Sequence, residues 1–181
     1  MADKKDKKET SAPAAAPATA PGAPGAAQKP PGIEVIAQYV KDCSFENPHA
    51  PESLVSGWPA PDTNVQISLS QSHLKDNLFE SALNFRIEAK NVKDGKMAFI
   101  LELHYGAMVA LHNIPQENIA PILMVEVPKL MFPFVRETVV NMTIKGGYKP
   151  LFLTPINFDA MYMSEMKRLQ EASKGKQSGT A

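Results

Sequence analysis

The first half of the chain alternates between apolar and polar residues, a pattern that predicts four β-strands. The alternation covers residues 33–45, 65–69, 78–90 and 97 to about 109. Asp94-Gly95 separates the last two segments, and this dipeptide is typical of tight hairpin turns. On the first strand the pattern places Asp42 and Glu46 on a polar face. The predicted apolar face of that strand carries Val35, Ala37, Tyr39, Cys43 and Phe45.

The second half of the chain has the start and stop signals of helices. Pro115 can begin a short helix that runs to about residue 127, because proline is favoured in a first helical turn. Pro133 begins a longer helix over residues 134–145, which Gly146-Gly147 ends. Asn157 caps a last helix that continues to about residue 172. Strands followed by helices predict an α+β fold, in which a four-stranded antiparallel sheet carries two main helices packed to one side.

Large apolar side chains are especially dense between residues 127 and 163. One buried helix needs an apolar face only about 100° wide, so this stretch holds more apolar surface than a single core helix uses. Met and Phe are prominent in the surplus, and adaptable binding surfaces favour such residues. Two interpretations are open. The excess belongs to the core or to a subunit interface, or it forms a surface that holds other apolar chains.

Both ends of the chain differ in composition from its middle, and the difference sets the predicted domain boundaries. Residues 1–32 combine a charged start with a segment rich in Ala and Pro, and residues 173–181 are mostly small or polar. Neither segment offers enough apolar area to offset the entropy of ordering, so we expect both to be disordered. A single domain is therefore expected at residues 33–172.

Charge and cysteine content narrow the class of protein. Residues 33–163 contain ten Lys and Arg against fourteen Asp and Glu, a net charge of about −4. A domain of that sign is a poor nucleic-acid binder and suits a basic protein partner. The single cysteine excludes a disulfide within the chain and a cysteine-based zinc site.

Targeting signals are the next constraint. No uninterrupted apolar run approaches the roughly 18 residues that a membrane span needs. The N-terminal lysines are not followed by the apolar region of a secretory signal. We therefore expect no direct insertion into a membrane, and the single cysteine fits a reducing cytoplasm.

Residues able to do chemistry are present but scattered. Glu102 and His104 share one predicted strand face, yet nothing nearby supplies a nucleophile or a further metal ligand. Cys43 falls on an apolar strand face, where a packed thiol is more common than a reactive one. Glycine-rich phosphate-binding patterns are absent from the sequence. We therefore predict no catalytic residues, no bound metal and no cofactor, which argues against an enzyme.

Three motifs give the chain a resemblance to a known family. They are KDCSFENPHAP at residues 41–51, FPFVRE at residues 132–137 and PINFDAMYM at residues 155–163. Together with the segment AFILELHYG at residues 98–106, they closely resemble the SecB protein-export chaperones over residues 33–170. The Ala/Pro-rich extension lies outside that shared domain, and the C-terminal tail is short and basic.

The resemblance implies a function and a set of site residues. SecB proteins are ATP-independent chaperones of the bacterial cytoplasm that hold unfolded precursor proteins and deliver them to the SecA motor. They assemble as homotetramers, each a dimer of dimers. The resemblance places SecA binding at Asp42, Glu46, Ile100 and Glu102. It places tetramer assembly at Leu101, Leu103 and Tyr105, which we expect to form an outward apolar patch on a lone subunit.

The surface that would hold unfolded chains is inferred from the apolar surplus. A broad apolar groove suits a holding chaperone, because unfolded clients expose apolar groups at many places. The candidate groove residues are Trp58, Val65, Ile67, Leu69, Phe132 and Phe134. Two alternatives remain open: a small-ligand carrier that encloses the same surplus as a cavity, and a SecB-like chaperone dedicated to one client, as in a toxin–antitoxin system.

Overall fold

The computed structural model describes residues 30–55 and 58–177, and these residues contain one four-stranded antiparallel sheet. The strands are β1 Gly32–Glu46, β2 Pro61–Lys75, β3 Leu78–Asn91 and β4 Met97–His112. They lie in the order β1-β4-β3-β2, so β1 and β2 form the two edges. The predicted sheet is confirmed, and β2 extends beyond the predicted residues 65–69 at both ends. The sequence predicts disorder for residues 1–32 and 173–181; residues 1–29 and 178–181 lie outside the described residues, whereas residues 173–177 belong to the last helix.

The turn predicted at Asp94-Gly95 is present, within a loop at residues 92–96 that is longer than a two-residue hairpin. The Gly95 amide donates a hydrogen bond to the Asn91 carbonyl at 2.9 Å. Gly95 has a φ of 71°, which residues with side chains rarely adopt. That backbone requirement explains why glycine follows Asp94 at this turn.

The sheet has one face packed under the helices, the helix face, and one face directed away from them, the outer face. Cross-strand partners lie on the same face, so Leu101, Ile87 and Val65 form one row on the helix face. The outer face carries mainly polar and charged side chains. Alternation along each strand therefore divides the sheet into a core side and a solvent side.

Strand β1 departs from strict alternation at two bulges. Its register against β4 shifts between Val35 and Ala37 and again between Val40 and Asp42. Each bulge adds one residue and reverses the face of every later residue, so the two cancel. Asp42 and Glu46 therefore lie on the outer face, as the alternation predicts. Between the bulges the prediction is wrong: Tyr39 pairs with Gly106 on the outer face, and Ala37 pairs with Met108 there too.

The helical half begins with α1 Gln116–Pro121, continues through a π-helical segment Ile122–Glu126 and proceeds directly into α2 Val127–Lys145. The predicted new helix start at Pro133 is wrong, because Pro133 lies inside α2. A proline inside a helix removes the hydrogen bond to the carbonyl four residues earlier. Here that carbonyl belongs to Lys129, which is exposed like Pro133, so water can take the place of the missing donor.

The helix ends match the sequence signals more closely. After α2, Gly147 adopts a φ of 86°, as expected of a glycine that ends a helix. Helix α3 spans Phe158–Gln177 and so continues past the predicted end near residue 172. Asn157 caps it, since the Ala160 amide donates to the Asn157 Oδ1 at 2.9 Å.

The core lies between the helix face of the sheet and α2. Phe132 of α2 stacks on Phe85 with ring centroids 6.5 Å apart and meets Phe158 edge-on at 5.8 Å. The buried Ser81 hydroxyl donates to the Leu123 carbonyl at 2.7 Å, which ties β3 to the π-helical segment. Packing of apolar rings and this buried hydrogen bond fix the helices on one side of the sheet.

The three residues predicted to form a tetramer contact lie within this core. Leu101 and Leu103 are 0% exposed and Tyr105 is 8% exposed within a single chain. The expectation that they form an outward apolar patch is therefore wrong. Their side chains alternate onto the helix face of β4, so a single chain buries them on its own.

One helical segment within the described residues, Gln116–Lys145, is long and apolar enough to cross a membrane, with a mean hydropathy of 1.4 in its most apolar window. In this structure its apolar residues Met131, Val135 and Val139 are fully buried in the core. A core helix meets the same criterion of length and composition, so the hydropathy adds no separate support for a membrane span.

Two candidate binding surfaces on opposite faces of the sheet

The four residues expected to bind SecA meet at one end of the outer face, and we call them the acidic patch. Glu46 pairs directly with Ile100, and Ser44 between the two β1 acids pairs with Glu102. Asp42 pairs with His104, which is two residues beyond Glu102 on β4. Glu46 and Glu102 thus lie beside the half-buried Ile100, and Asp42 lies diagonally across from Glu102, about 13 Å along β1 from Glu46.

The three carboxylates of the acidic patch have different surroundings. Among the described residues, neither Asp42 nor Glu46 forms an ion pair. Glu102 is paired with Arg86, its direct neighbour on β3, which also contacts Glu88 at 3.1 Å. The hydrogen bond that Arg86 donates to Glu88, together with the charge of Glu102, raises the pKa of Arg86 above its usual range, so it stays charged. Arg86 is the member of this surface that sequence reasoning missed.

A second surface lies on the helix side, where two adjoining hollows form what we call the client groove. The first hollow has a volume of about 390 Å³ and runs between the β1–β2 connection and the residues after α2. The second, of about 350 Å³, continues along β2 and shares Thr63 and Leu151 with the first. Exposed Phe152 and Val55 stand at the edges, so both hollows open to solvent.

Tyr148 joins the two walls of the groove at its base. Its hydroxyl lies 2.9 Å from the Asn47 Oδ1, 2.8 Å from the Ser53 Oγ and 2.9 Å from the Ala98 carbonyl. Its ring lies 4.8 Å from the Phe99 ring. The residues after α2 can approach so closely because residue 146 is glycine, where a Cβ would lie 2.3 Å from the Phe45 ring.

The predicted groove residues are only partly brought together. Trp58 lines the first hollow, and Val65 and Ile67 line the second. Leu69 is half-buried on the same face but lines neither hollow. The assignment of Phe132 is wrong, because its side chain is 8% exposed within the core. Phe134 is exposed on α2 but also lines neither hollow.

The groove residues that were missed include Tyr148, Leu151 and Phe152. All three lie in the segment YKPLFLTP, a proline-bounded loop with three consecutive large apolar residues. A loop has no core of its own, so large apolar residues in it indicate a surface that binds something else. That pattern could have identified these residues from the sequence. Phe134 is also a large apolar residue at the surface, but exposure alone does not show which surface it belongs to. The sequence could therefore not exclude it from the groove.

The residues considered for catalysis or metal binding do not form a site. The described residues contain no group of three His, Cys, Asp or Glu placed to hold a metal ion. Cys43 is half-buried on the helix face, and burial raises the pKa of its thiol, so the nucleophilic thiolate is disfavoured. His104 pairs with Asp42 on the outer face and lies beside no nucleophile. The geometry supports binding surfaces rather than a reaction centre.

Comparison with known proteins agrees with this picture. Residues 26–169 match the SecB family, described as preprotein translocase subunit SecB. A protein-export protein SecB from Bradyrhizobium sp. strain BTAi1 is 44% identical over 86% of this chain and 94% of its own length. One from Rhodopseudomonas palustris strain HaA2 is 41% identical over 83% of this chain and 94% of its own length.

A solved structure shares the fold. It is the Mycobacterium tuberculosis Rv1957 SecB-like chaperone in complex with a ChAD peptide from the Rv1956 HigA1 antitoxin, and it is 12% identical. The match has a TM-score of 0.56 and covers 69% of this chain and 91% of that one. The chain belongs to the SecB family, and it is a protein-export chaperone rather than an enzyme.

Proposed function

We propose that this chain is an ATP-independent holding chaperone of the bacterial cytoplasm, which keeps unfolded precursor proteins competent for translocation and delivers them to SecA. The observation that carries the proposal is the separation of two surfaces. An open apolar groove lies on the helix side of the sheet, and an acidic patch lies on its outer face. A protein that passes a client to a partner needs to hold both at once, and opposite faces allow that.

The client groove has the properties of a surface for unfolded chains. Trp58, Phe99, Tyr148 and Leu151 supply apolar and aromatic area without a buried charge in the lining. Burial of apolar area contributes about 25 cal/mol per Å² and needs no particular client sequence. An open groove therefore suits varied extended segments, whereas a small-ligand carrier would enclose its ligand on most sides.

The acidic patch has the properties of a surface for a basic partner. Asp42 and Glu46 have no ion pair among the described residues, so their charge is available to an incoming cation. Ile100, the cross-strand partner of Glu46, can be covered by an apolar group of the partner protein. Charge complementarity of this kind speeds association and weakens as salt is added. We infer that this patch is where SecA binds.

Assembly as a homotetramer is part of the proposal, but through surfaces other than the predicted one. Strand β1 is an edge strand, and Ile33, Val35, Ile36 and Val40 along it are all more than one third exposed. A long apolar edge invites a second strand. On α2, Leu130 and Phe134 are about half exposed. These residues support contacts between subunits better than Leu101, Leu103 or Tyr105.

The test measures two affinities on the same variants. Replacing both Glu46 and Glu102 with Lys should abolish binding of SecA and leave the affinity for a denatured precursor nearly unchanged. A matched control is Glu117→Lys, a single reversal of an exposed acid on α1. Both affinities are determined by titration at low and high salt.

The outcomes separate the two surfaces. Loss of SecA binding in the double variant but not in the control supports the assignment. Unchanged SecA binding would make the acidic patch ordinary solvated surface. A parallel fall of SecA and precursor binding in a folded variant would show that the two surfaces are not distinct.

A further inference from the structure

Glu80, on the outer face of β3, is held by residues from both edge strands. The Tyr39 hydroxyl donates to the Glu80 Oε1 at 2.5 Å, and the Lys41 ammonium donates to the Oε2 at 3.0 Å. Ser72 of β2 adds a longer contact to the Oε2 at 3.4 Å. The Glu80 side chain is 16% exposed, so this is a sheltered carboxylate rather than a free surface acid. We call Tyr39, Lys41 and Glu80 the cross-strand clamp.

The clamp spans the strand that separates its members. Strand β4 lies between β1 and β3, so the backbones joined by the clamp are about 10 Å apart. The Tyr39 ring covers that distance by passing over Gly106, its partner on β4. A Cβ at residue 106 would lie 2.9 Å from the ring carbon Cε2. The missing side chain of Gly106 is therefore what lets Tyr39 reach Glu80.

The charges of the clamp are stable at neutral pH. The hydrogen bond from Tyr39, followed by that from Lys41, lowers the pKa of Glu80 below its usual range. Burial, together with the Glu80 carboxylate, raises the pKa of Tyr39 to about 12. Glu80 thus accepts as an ionised carboxylate while Tyr39 keeps its proton to donate. Such charge-assisted hydrogen bonds are stronger than neutral ones.

The clamp contacts β1 next to its second bulge, and this bulge determines which face of the sheet Asp42 and Glu46 lie on. Tyr39 and Lys41 lie on either side of Val40, and the second bulge of β1 falls between Val40 and Asp42. With only the first bulge, every later residue of β1 would change face. Asp42 and Glu46 would then turn toward the helices. The outward orientation of both acids depends on the second bulge.

We propose that Glu80 is a positioning residue for the acidic patch: it fixes β1 at the second bulge and so keeps Asp42 and Glu46 on the outer face. Glu80 pairs with Met108, about 13 Å along β4 from His104, the partner of Asp42. It therefore acts through β1 and not by touching the partner protein. The proposal rests on the function proposed above, in which SecA binds at the acidic patch.

The test compares two carboxylates of the outer face. Glu80→Gln removes the charge that holds Lys41, and Tyr39→Phe removes only the hydroxyl while keeping the ring. Each should weaken SecA binding roughly tenfold, the equivalent of one charge-assisted hydrogen bond. Glu34→Gln is the matched control, because it removes the same charge from the outer face at the far end of β1. It should change SecA affinity less than twofold.

Further readouts distinguish positioning from general destabilisation. Amide hydrogen exchange at Asp42 should speed up in Glu80→Gln while the affinity for a denatured precursor stays within twofold of wild type. Gly106→Ala should weaken SecA binding as well, because its Cβ displaces the Tyr39 ring, and its effect should not add to that of Glu80→Gln. Such non-additivity is expected of residues acting through one clamp.

The failures are distinguishable. If Asp42→Lys with Glu46→Lys abolishes SecA binding but Glu80→Gln and Tyr39→Phe match Glu34→Gln, the positioning role is wrong and the proposed function stands. If the double charge reversal leaves SecA binding intact, the function assigned to the acidic patch is wrong, and the role of Glu80 falls with it. A precursor affinity that falls as much as the SecA affinity would also overturn the positioning role.

Discussion

Along β4, Leu101 and Leu103 point toward the helices, while Glu102 and His104 point away from them. The first pair is fully buried in one subunit, and the second pair reaches solvent. The helix face is stabilised by apolar packing around α2. The outer face is organised by hydrogen bonds and ion pairs between strands, such as the clamp and the Arg86 pairs.

The contrast shows how one strand can serve two purposes. Substitutions on the helix face act on folding, because a core tolerates neither a cavity nor an unpaired charge. Substitutions on the outer face leave the core alone and act on charge and on strand register. The client groove lies at the margin of the helix face, so it should respond to lost apolar area and not to salt. Three predictions test this division.

The largest effect is expected from Leu103→Arg. Arginine would place an unpaired cation where the side chain is 0% exposed, which we expect to destabilise the fold by more than about 4 kcal/mol. The matched change is His104→Arg, next in sequence but exposed on the outer face, where the cost should stay within about 0.5 kcal/mol. Urea unfolding followed by circular dichroism measures both.

This pair of variants also tests the predicted subunit contact at Leu103. Folded dimers of Leu103→Arg, seen by light scattering, would mean that the residue acts at a subunit contact and that the core assignment is wrong. An unfolded or strongly destabilised chain supports the core assignment. If His104→Arg were as unstable as Leu103→Arg, the conclusion that only the helix face of β4 contributes to folding stability would be wrong.

Much of the architecture could be predicted from local pattern. Alternation located all four strands, because strands buried on one face impose a period of two residues. Asn157 and Gly147 marked helix ends, since a cap hydrogen bond and a positive φ each restrict the residues allowed. Such signals are local, so they can be recognised in the sequence without information on tertiary packing.

The errors arose where the outcome depends on packing or register. The two bulges of β1 moved Tyr39 to the outer face, and only its partner Gly106, distant in sequence, explains why the ring fits there. Pro133 resembles a helix start because proline is favoured in a first helical turn, and the sequence alone does not show that this position inside α2 is exposed. Phe132 and Phe134 are two positions apart in the sequence. Only the orientation of α2 on the sheet determines that Phe132 is buried in the core and Phe134 is exposed.

The acidic patch and the groove were predictable to different degrees. The resemblance supplied Asp42, Glu46, Ile100 and Glu102, and cross-strand pairing brings these four together. Arg86 was missed, because no local pattern says which cation lies opposite Glu102. For the groove, apolar surplus identified Trp58, Val65 and Ile67 but overlooked the loop of Tyr148, Leu151 and Phe152.

An intermediate effect is expected from Phe152→Ser, which reduces apolar area at the groove. Phe152 is 66% exposed, so the fold should be unaffected, while the affinity for a denatured precursor should fall about tenfold. The loss is limited because clients make several weak contacts. Titration with an unfolded precursor at two salt concentrations measures the affinity and should show little salt dependence.

Val92→Ser is the control for this prediction. Val92 is 65% exposed in the loop after β3 and lines neither hollow of the groove. It should leave precursor affinity unchanged. Equal losses in the two variants would mean that clients respond to exposed apolar area anywhere on the chain. A Phe152→Ser variant that binds precursor normally would remove the loop after α2 from the binding surface.

The smallest effect, and the only expected gain, comes from Arg86→Gln. Arg86 pairs with Glu102 on the outer face and competes for that carboxylate with any cation of the partner. Exposed ion pairs contribute about 0.2–1 kcal/mol, so freeing Glu102 should raise SecA affinity by about threefold. Titration with SecA at low salt, where such effects are largest, provides the measurement.

A double-mutant cycle isolates the cause of that gain. If Arg86 acts by masking Glu102, the gain should vanish when Glu102 is already replaced by Gln, because no carboxylate remains to be freed. A gain that persists without Glu102 would instead come from the general loss of one positive charge beside Asp42 and Glu46. A loss of affinity would show that Arg86 orients Glu102 for the partner, and that the outer face depends on paired charges as strictly as the helix face depends on packing.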